Sequence, residues 1–257
     1  MSLVPGLGTT VLVLGGTGEA RAVAAALDGI EDVRVISTLA GRIANPRLPV
    51  GEVRVGGFGG PDGLAAYLRA EGVDAVVDAT HPFAERMSWS AFEACAATDT
   101  TLLRLERPPF ARDPAIDWRE VGSLDEAAAL LPGAGRRVFL TTGRQGLGAF
   151  AAVAGAFFLI RCVEAPDPAL LPPDRTVVLD RGPFTLAGEL TLIDRHALDV
   201  VITKDSGGEM TRAKLAAARE RGLPVIVVAR PSRPAARTVQ TVEEALAWVG
   251  EQAHDEG

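Results

Sequence analysis

The stretch that most constrains this 257-residue chain is VVITKDSGG, residues Val200 to Gly208, in which an apolar run leads directly into polar residues and two glycines. Such a run is typical of a buried parallel strand that carries a polar turn at its carboxyl end. Open α/β sheets bind their ligands at that end. The stretch therefore predicts an α/β fold with a functional turn after this strand.

Lys204 lies in this turn and is one of only two lysines in the chain, which otherwise uses arginine for positive charge. A lysine at a strand end is a candidate for chemistry, because its charge and pKa respond to burial. The alternative is that Asp205 or Ser206 caps a following helix and that Lys204 is merely solvated. The turn alone leaves both interpretations open.

Composition narrows the class of protein. The chain is 47% hydrophobic and 23% charged, which is typical of a globular protein with one large or two moderate domains. Its net charge of -7 argues against a nucleic-acid partner. Cys95 and Cys162 are far apart and form no metal-binding pattern, so no metal site is predicted. Without a signal sequence or membrane span, a cytoplasmic protein with no membrane partner is expected.

A glycine-rich turn lies near the start of the chain. The apolar run Val11 to Leu14 leads into Gly15, Gly16, Thr17, Gly18 and Glu19, and a helical pattern follows. Glycines let a backbone approach a phosphate, and a helix N-terminus offers free N–H groups to it. A dinucleotide site is therefore predicted, with a tight turn that binds no ligand as the alternative.

The second strand, Val33 to Ser37, is expected to end where a dinucleotide site reads the adenosine ribose. Ser37, Thr38 and Arg42 occur there in place of Asp or Glu. Hydroxyls and an arginine suit a 2′-phosphate and favour NADP over NAD. The alternative is that Arg42 is an ordinary surface residue.

A further apolar run, Ala75 to Asp78, precedes Thr80, His81 and Pro82. Pro82 is expected in the first turn of the next helix. His81 would then lie at a strand end, where it either transfers a proton or binds a ligand, or only caps and packs.

The two halves of the chain resemble each other. A shift of 123 residues places Thr80 on Thr203 and Arg107 on Arg230, and a shift of 118 places Ser123 on Thr241. We therefore predict two similar Rossmann-like α/β domains with mostly parallel sheets, residues 1–132 and 133–257, and an active site in a cleft between them. The last strand and helix of each half are alike, so the sequence allows an exchange between the domains.

The motifs LGGTGEA, THPFA, TTGRQGL and TKDSGGEMTRAKLAAARERGLPVIVVARP resemble those of the precorrin-6A reductase family of cobalamin biosynthesis, over nearly the whole chain. The resemblance implies an NADPH-dependent reduction of a double bond in the precorrin-6A macrocycle to give precorrin-6B. A cobalt-bearing substrate is the counterpart in the anaerobic branch. Other enzymes of the cobalamin pathway are candidate partners.

Residue roles follow from the motifs and from the chemistry of a polycarboxylate substrate. We expect the first domain to bind NADPH and the second to bind the tetrapyrrole, with His81 and Lys204 as catalytic candidates. The expected cofactor-binding residues are Gly15, Gly16, Thr17, Glu19, Ser37, Thr38, Arg42 and Thr80. The expected substrate-binding residues are Thr142, Gly143, Arg144, Lys204, Asp205, Ser206 and Gly207.

Other classes of protein fit less well. A short-chain dehydrogenase needs a Tyr-x-x-x-Lys pair, but the single tyrosine, Tyr67, is followed four residues later by Glu71. An NADP-sensing regulatory protein without turnover would keep the glycine turn but would not need the polar turn at Lys204. A scaffold protein would not gather polar residues at strand ends.

Overall fold

A computed structural model describes residues 8–41 and 47–254 of the chain. Its strands are β1 (Thr9–Leu14), β2 (Val33–Leu39), β3 (Glu52–Val55), β4 (Ala75–Asp78), β5 (Thr101–Leu105), β6 (Trp118–Val121), β7 (Arg137–Leu140), β8 (Phe157–Cys162), β9 (Arg175–Leu179), β10 (Val200–Lys204), β11 (Val225–Val228) and β12 (Arg237–Val239).

Seven α-helices accompany these strands within the described part of the chain. They are α1 (Gly18–Leu27), α2 (Pro61–Glu71), α3 (Glu85–Ala96), α4 (Leu124–Leu130), α5 (Leu186–His196), α6 (Ala213–Arg221) and α7 (Val242–His254). None of them has the length and apolar character that crossing a membrane requires.

The strands form two six-stranded sheets in which all neighbours are parallel. The first sheet has the order β12-β5-β4-β1-β2-β3, and the second has the order β6-β11-β10-β7-β8-β9. Position by position the two orders correspond, with β1 matching β7 and β4 matching β10. Both follow the order of dinucleotide-binding Rossmann folds. The prediction of two Rossmann-like halves is confirmed.

The compact units do not divide after residue 132. One unit contains the described residues up to Arg107 and those from Ser232 onwards, and the other is Pro108–Pro231. The reason is that β6 pairs with β11 and β12 pairs with β5, so each half of the sequence gives its last strand to the other sheet. The sequence is compatible with this exchange but does not predict it.

Both exchanged strands lead into helices with the same local cap. Ser123 Oγ accepts the N–H of Glu126 at the start of α4, and Glu126 accepts the N–H of Gly122. At the start of α7, Thr241 Oγ1 likewise accepts the N–H of Glu244, and Glu244 accepts the N–H groups of Gln240 and Thr241. These reciprocal bonds satisfy N–H groups that a helix start leaves without partners.

The cores lie on the faces of the sheets. In the first unit α1 and α7 cover one face of the central strands, while α2 and α3 cover the other. In the second unit α5 and α6 pack on a face that includes Phe139, Leu159 and Val201. Central strands buried on both faces explain the continuous apolar runs in the sequence.

One local expectation, the placement of Pro82 in the first turn of a helix, is wrong. Pro82 does not lie in a helix, because α3 begins at Glu85 and the Ala84 N–H bonds the His81 carbonyl in a turn before it. After Gly146 the chain forms only a short 3₁₀ segment, Leu147–Phe150. Both segments connect a strand end to the rest of the unit, so their polar groups are arranged as turns.

Candidate functional site

The turn between β1 and α1 has the geometry of an anion-binding turn. Gly16 adopts φ +113°, and a Cβ placed there would meet nothing within 4 Å, so the backbone is open on that side. A Cβ at Gly15 would lie 2.7 Å from the Thr38 carbonyl oxygen, so glycine is required for β1 to pack against β2. Thr17 caps α1 by accepting the Ala20 N–H at 3.1 Å.

Thr17 also joins two strand ends at the carboxyl edge of the first sheet. Its hydroxyl donates to the Ala79 carbonyl just after β4, at 2.8 Å. A small pocket opens beside this contact, where the strand order of the sheet reverses between β1 and β4. The pocket is lined by Thr17, Glu19, Ala79, Thr80, Pro82, Leu105, Glu106 and Arg107.

Glu19 is paired with Arg107 at the mouth of this pocket. Arg107 Nη1 donates to both carboxylate oxygens of Glu19 at 3.1 Å. Burial raises the pKa of Glu19, but the Arg107 charge and hydrogen bonds from the backbone and side chains outweigh burial, so the net shift is downward. Arg107 therefore compensates the negative charge of Glu19 in the first turn of α1, beside the glycine turn.

A buried carboxylate that sequence reasoning missed organises the neighbouring turn. Asp78 is 1% exposed and accepts hydrogen bonds from the Thr80 N–H, the Thr80 hydroxyl and the Ser88 hydroxyl. Arg104 Nε lies 3.7 Å from Asp78 Oδ2, the oxygen that also accepts the Ser88 hydroxyl. The hydroxyl proton of Thr80 is thus committed to Asp78, and Thr80 can only accept a hydrogen bond from a ligand. The signal in the sequence is a carboxylate that ends a buried apolar strand.

His81 follows in the same turn and is partly exposed. Its Nδ1 accepts the Phe83 N–H at 3.2 Å, which places the proton of the neutral ring on Nε2. His81 does not itself line the pocket, although Thr80 and Pro82 on either side of it do.

The structure differs from the prediction for the residues expected to contact the adenosine end of the dinucleotide. Strand β2 continues to Leu39, beyond the predicted end at Ser37, so Thr38 lies inside the strand rather than after it. Both are buried, Thr38 donates to the Val13 carbonyl, and Ser37 Oγ has no hydrogen-bond partner among the described residues. Arg42 lies outside the described residues.

In the second unit, β7 ends in a turn that corresponds to the glycine turn of the first. Gly143 adopts φ +74° with open space where a Cβ would lie. Thr142 is buried, and its hydroxyl has no partner among the residues that the structure describes. Arg144 is partly exposed and pairs with Glu164 at 3.1 Å.

The Lys204 turn is held by contacts with Arg230 and with the segment that contains Pro108 and Phe110. Asp205 Oδ1 accepts the Phe110 N–H at 2.8 Å, and the Asp205 carbonyl accepts Arg230 Nε at 3.0 Å. Gly207 has φ +62°, and a Cβ there would collide with the Pro108 carbonyl. These contacts show that Asp205 and Gly207 shape the turn rather than project from it.

Lys204 itself is only partly buried, at the end of β10. Desolvation lowers the pKa of its ammonium group from the ordinary lysine value. Ser206 beside it is buried at 9% exposure. The turn therefore places the Lys204 ammonium group at the carboxyl end of β10.

A buried ion pair in the second unit was also missed. Arg161 Nη1 and Glu189 Oε1 are 2.6 Å apart, and the Arg161 guanidinium lies 3.5 Å from the Phe184 ring centre. This pair joins β8 to α5. The only sequence signal is a lone arginine within the apolar strand FFLIRC.

The residues of the first unit fit a dinucleotide. The open side of Gly16, the helix start at Thr17 and the strand-order reversal beside the pocket are the features that a pyrophosphate needs. No cluster of three or more His, Cys, Asp or Glu residues suited to a metal ion occurs in residues 8–41 and 47–254.

The fold and this turn define a Rossmann-like α/β protein with a dinucleotide-type site. A family model described as "Precorrin-6x reductase CbiJ/CobK" matches residues 10–250. The chain therefore belongs to the precorrin-6x reductase family, and like the family it is an oxidoreductase.

Individual relatives agree with this assignment. A protein from Rhodococcus erythropolis named "Precorrin-6A reductase" is 51% identical over 94% of this chain and 98% of its own length. A "Cobalt-precorrin-6A reductase" from Priestia megaterium is 30% identical over 92% of this chain and 96% of its own. The solved structure "CobK precorrin-6A reductase" has a TM-score of 0.88 and 42% identity, covering 95% of this chain and 97% of that one.

Proposed function

We propose that this protein reduces a double bond of the precorrin-6A macrocycle with NADPH, giving precorrin-6B in the cytoplasmic synthesis of cobalamin. The observation that carries the proposal is the family match over residues 10–250, together with relatives named precorrin-6A reductase over nearly the whole chain. The sequence motifs at the β1 turn and the Lys204 turn support the same assignment.

The metal-free macrocycle is the preferred substrate in this proposal. The relative named for precorrin-6A is 51% identical to the chain, whereas the relative named for the cobalt-bearing form is 30% identical. Substrate preference is a difference between two affinities, and the more similar protein shares more of the residues that set it.

The first unit is proposed to hold NADPH. Gly15, Gly16 and Thr17 would receive the pyrophosphate at the start of α1, and Thr80 would accept a hydrogen bond from the ligand beside the pocket. When bound, NADPH supplies the hydride. The role of the protein in that step is to hold the reacting carbon atoms in line and to exclude water.

His81 is proposed as a catalytic residue. Hydride transfer to a conjugated ring places negative charge on a ring nitrogen or carbon, and the Nε2–H of a neutral imidazole can stabilise that charge by donating a hydrogen bond. The Phe83 N–H fixes Nδ1 as an acceptor, so Nε2 is the donor atom. This assignment needs a substrate that approaches the turn after β4.

The second unit is proposed to bind the substrate. A polycarboxylate needs local cations in a protein of net charge -7, and Arg144 and Lys204 are partly exposed cations at the carboxyl ends of β7 and β10. Two large apolar side chains lie near these turns. Val163, after β8, is 45% exposed, and Met210, after β10, is 42% exposed. They offer contacts for the uncharged face of a macrocycle. Thr142, Gly143, Asp205, Ser206 and Gly207 would shape these turns.

The test is a measurement of NADPH oxidation by the purified protein, followed as loss of NADPH absorbance, with precorrin-6A and then with its cobalt-bearing form. Faster turnover of precorrin-6A is expected. Binding of NADPH without its oxidation in the presence of either substrate would reject the reductase proposal and favour an NADP-sensing protein.

A further inference from the structure

The buried hydroxyls of β2 leave the recognition of a 2′-phosphate to other residues. Ser37 and Thr38 are 3% and 5% exposed, and Thr38 already donates to a backbone carbonyl. A doubly charged phosphate at this edge of the sheet needs an accessible cation. The next strand, β3, offers one beside the end of β2.

Arg54 lies directly opposite Thr38 in the parallel pairing of β2 and β3. Its Nη1 donates to the Gly56 carbonyl at 2.9 Å, and its Nη2 donates to the Gly57 carbonyl at 3.0 Å. The Gly56 N–H in turn donates to the Leu39 carbonyl at 2.8 Å, so the loop after β3 is tied to the last residue of β2. Arg54 is thereby held at the carboxyl edge of both strands.

Two aromatic rings fix the plane of this guanidinium. The Arg54 carbon Cζ lies 4.1 Å from the centre of the Phe58 ring and 5.1 Å from that of Tyr67, and the two rings contact each other edge to face. A guanidinium that is ordered before binding loses less conformational entropy when a ligand arrives. Two carbonyl bonds use two of its five N–H donors, so donors remain for an anion.

No carboxylate in the described residues pairs with Arg54. Within residues 8–41 and 47–254 it takes part in no ion pair, whereas Arg34 on the neighbouring strand pairs with both Glu52 and Glu71. An ordered cation whose protein partners are neutral carbonyls is suited to recognise a ligand anion. The glycines at 56, 59 and 60 all have positive φ, and no Cβ blocks the loop beside it.

We infer that Arg54 is the specificity-determining residue that selects a 2′-phosphorylated adenosine nucleotide over the unphosphorylated one. The inference rests on the proposed function, because it names the residue that makes the reductase prefer NADPH to NADH. In this proposal Arg54, rather than the hydroxyls of Ser37 and Thr38, contacts the 2′-phosphate.

The experiment measures binding of adenosine 2′,5′-bisphosphate and of 5′-AMP to the full chain by calorimetry, so that turnover is not needed. The intact protein is expected to prefer the bisphosphate. Arg54→Gln is expected to weaken bisphosphate binding by about tenfold to a hundredfold, the range for one charge-assisted contact, and to leave 5′-AMP binding unchanged. The unchanged 5′-AMP affinity also shows that the variant is folded.

Arg69→Gln is the matched control. Arg69 carries the same charge, and within the described part of the chain its side chain bonds only the Ala97 carbonyl, but it lies in the last turn of α2, away from the carboxyl edge of the sheet. It should keep the full preference for the bisphosphate. Arg54→Lys keeps the charge but not the fork of donors, so it should retain only part of the preference.

Two results would overturn the inference, and they differ in what else they reject. If Arg54→Gln keeps the preference for the bisphosphate, or loses both ligands equally, Arg54 is not the selecting residue although the NADPH proposal stands. If the intact protein shows no preference for the bisphosphate, the inference and the NADPH part of the proposed function both fail.

Discussion

The carboxylate of Asp78 accepts a hydrogen bond of 2.6 Å from the hydroxyl of Thr80, two residues further along the turn that leads to His81. The same carboxylate accepts the Ser88 hydroxyl at 2.6 Å from α3. One buried negative charge therefore orients the turn and fastens it to the helix that follows. Thr80 lines the pocket, so this contact links the core of the first unit to its proposed cofactor site.

Replacement of Asp78 by Asn should disturb this turn. An amide offers one oxygen and one N–H₂ group, so at least one hydroxyl donor would face another donor. We expect the free energy of unfolding to fall by about 1–3 kcal/mol, the cost of an unsatisfied buried polar group, and kcat to fall as well. Urea unfolding and NADPH oxidation measure the two effects.

Ser88→Ala is the control for Asp78→Asn, because it removes one bond to the same carboxylate without touching Thr80 or His81. It should lower stability while leaving kcat close to that of the unmodified protein. Equal losses of kcat in the two variants would show that Asp78 acts only through stability.

The Glu19 and Arg107 pair predicts a pH-dependent contribution to stability. The pKa of Glu19 in the folded protein is lowered below the ordinary value of 4.5, because the effects of Arg107 and hydrogen bonding exceed the effect of burial, which raises it. The contribution is therefore complete above pH 4.5 and is lost as pH falls through the folded pKa. Glu19→Gln should cost up to about 1 kcal/mol near neutral pH, since the pair is partly solvated.

The measurement is urea unfolding of Glu19→Gln and the unmodified protein across the acidic range. The difference between them should shrink as the pH falls below 4.5. Glu243→Gln serves as the control, because Glu243 is exposed and forms no ion pair among the residues described. A difference for Glu19→Gln that does not vary with pH would contradict the assignment.

Gly207 and Gly143 form a second matched pair, because both have positive φ but only one is crowded. A Cβ at Gly207 would collide with the Pro108 carbonyl, whereas a Cβ at Gly143 would meet nothing within 4 Å. Gly143→Ala should cost about 1 kcal/mol from backbone conformation alone. Gly207→Ala should cost at least about 2 kcal/mol, because the Lys204 turn must also shift.

Urea unfolding measures both glycine variants. Equal losses would show that the approach of Pro108 is not what requires glycine at position 207. If Gly207→Ala alone also weakens binding of precorrin-6A, the geometry of the turn matters to the substrate as well as to the fold.

The sequence predicted the strands of both sheets because central parallel strands are continuous apolar runs, such as Val11 to Leu14 and Val200 to Ile202. It did not decide which sheet receives β6 and β12. Those two strands are short, and both lead into the same Ser or Thr cap with Glu three residues later. Local sequence encodes the cap, while the choice of sheet depends on contacts far along the chain.

The candidate site could be predicted at the level of turns but not of atoms. Gly16, Thr17 and Lys204 lie at strand ends as expected, because small and polar residues interrupt the apolar runs there. The directions of the hydroxyls of Ser37 and Thr80 depend on the true end of β2 and on the buried Asp78. Neither can be derived from residue spacing.

Lys204 gives a prediction that separates activity from stability. Desolvation lowers the pKa of its ammonium group in the folded protein, so its charge opposes folding below the folded pKa, and stability rises as the pH climbs from that value toward 10.5. Lys204→Met should therefore unfold at no lower temperature than the unmodified protein near neutral pH.

If Lys204 binds a substrate carboxylate, the same variant should raise the KM for precorrin-6A by about tenfold or more. The unmodified protein should lose substrate affinity at a pH below 10.5, and Lys204→Arg should move that loss to higher pH, because arginine keeps its charge. A pH profile that is the same for Lys204 and Lys204→Arg would show that the ammonium charge does not hold the substrate.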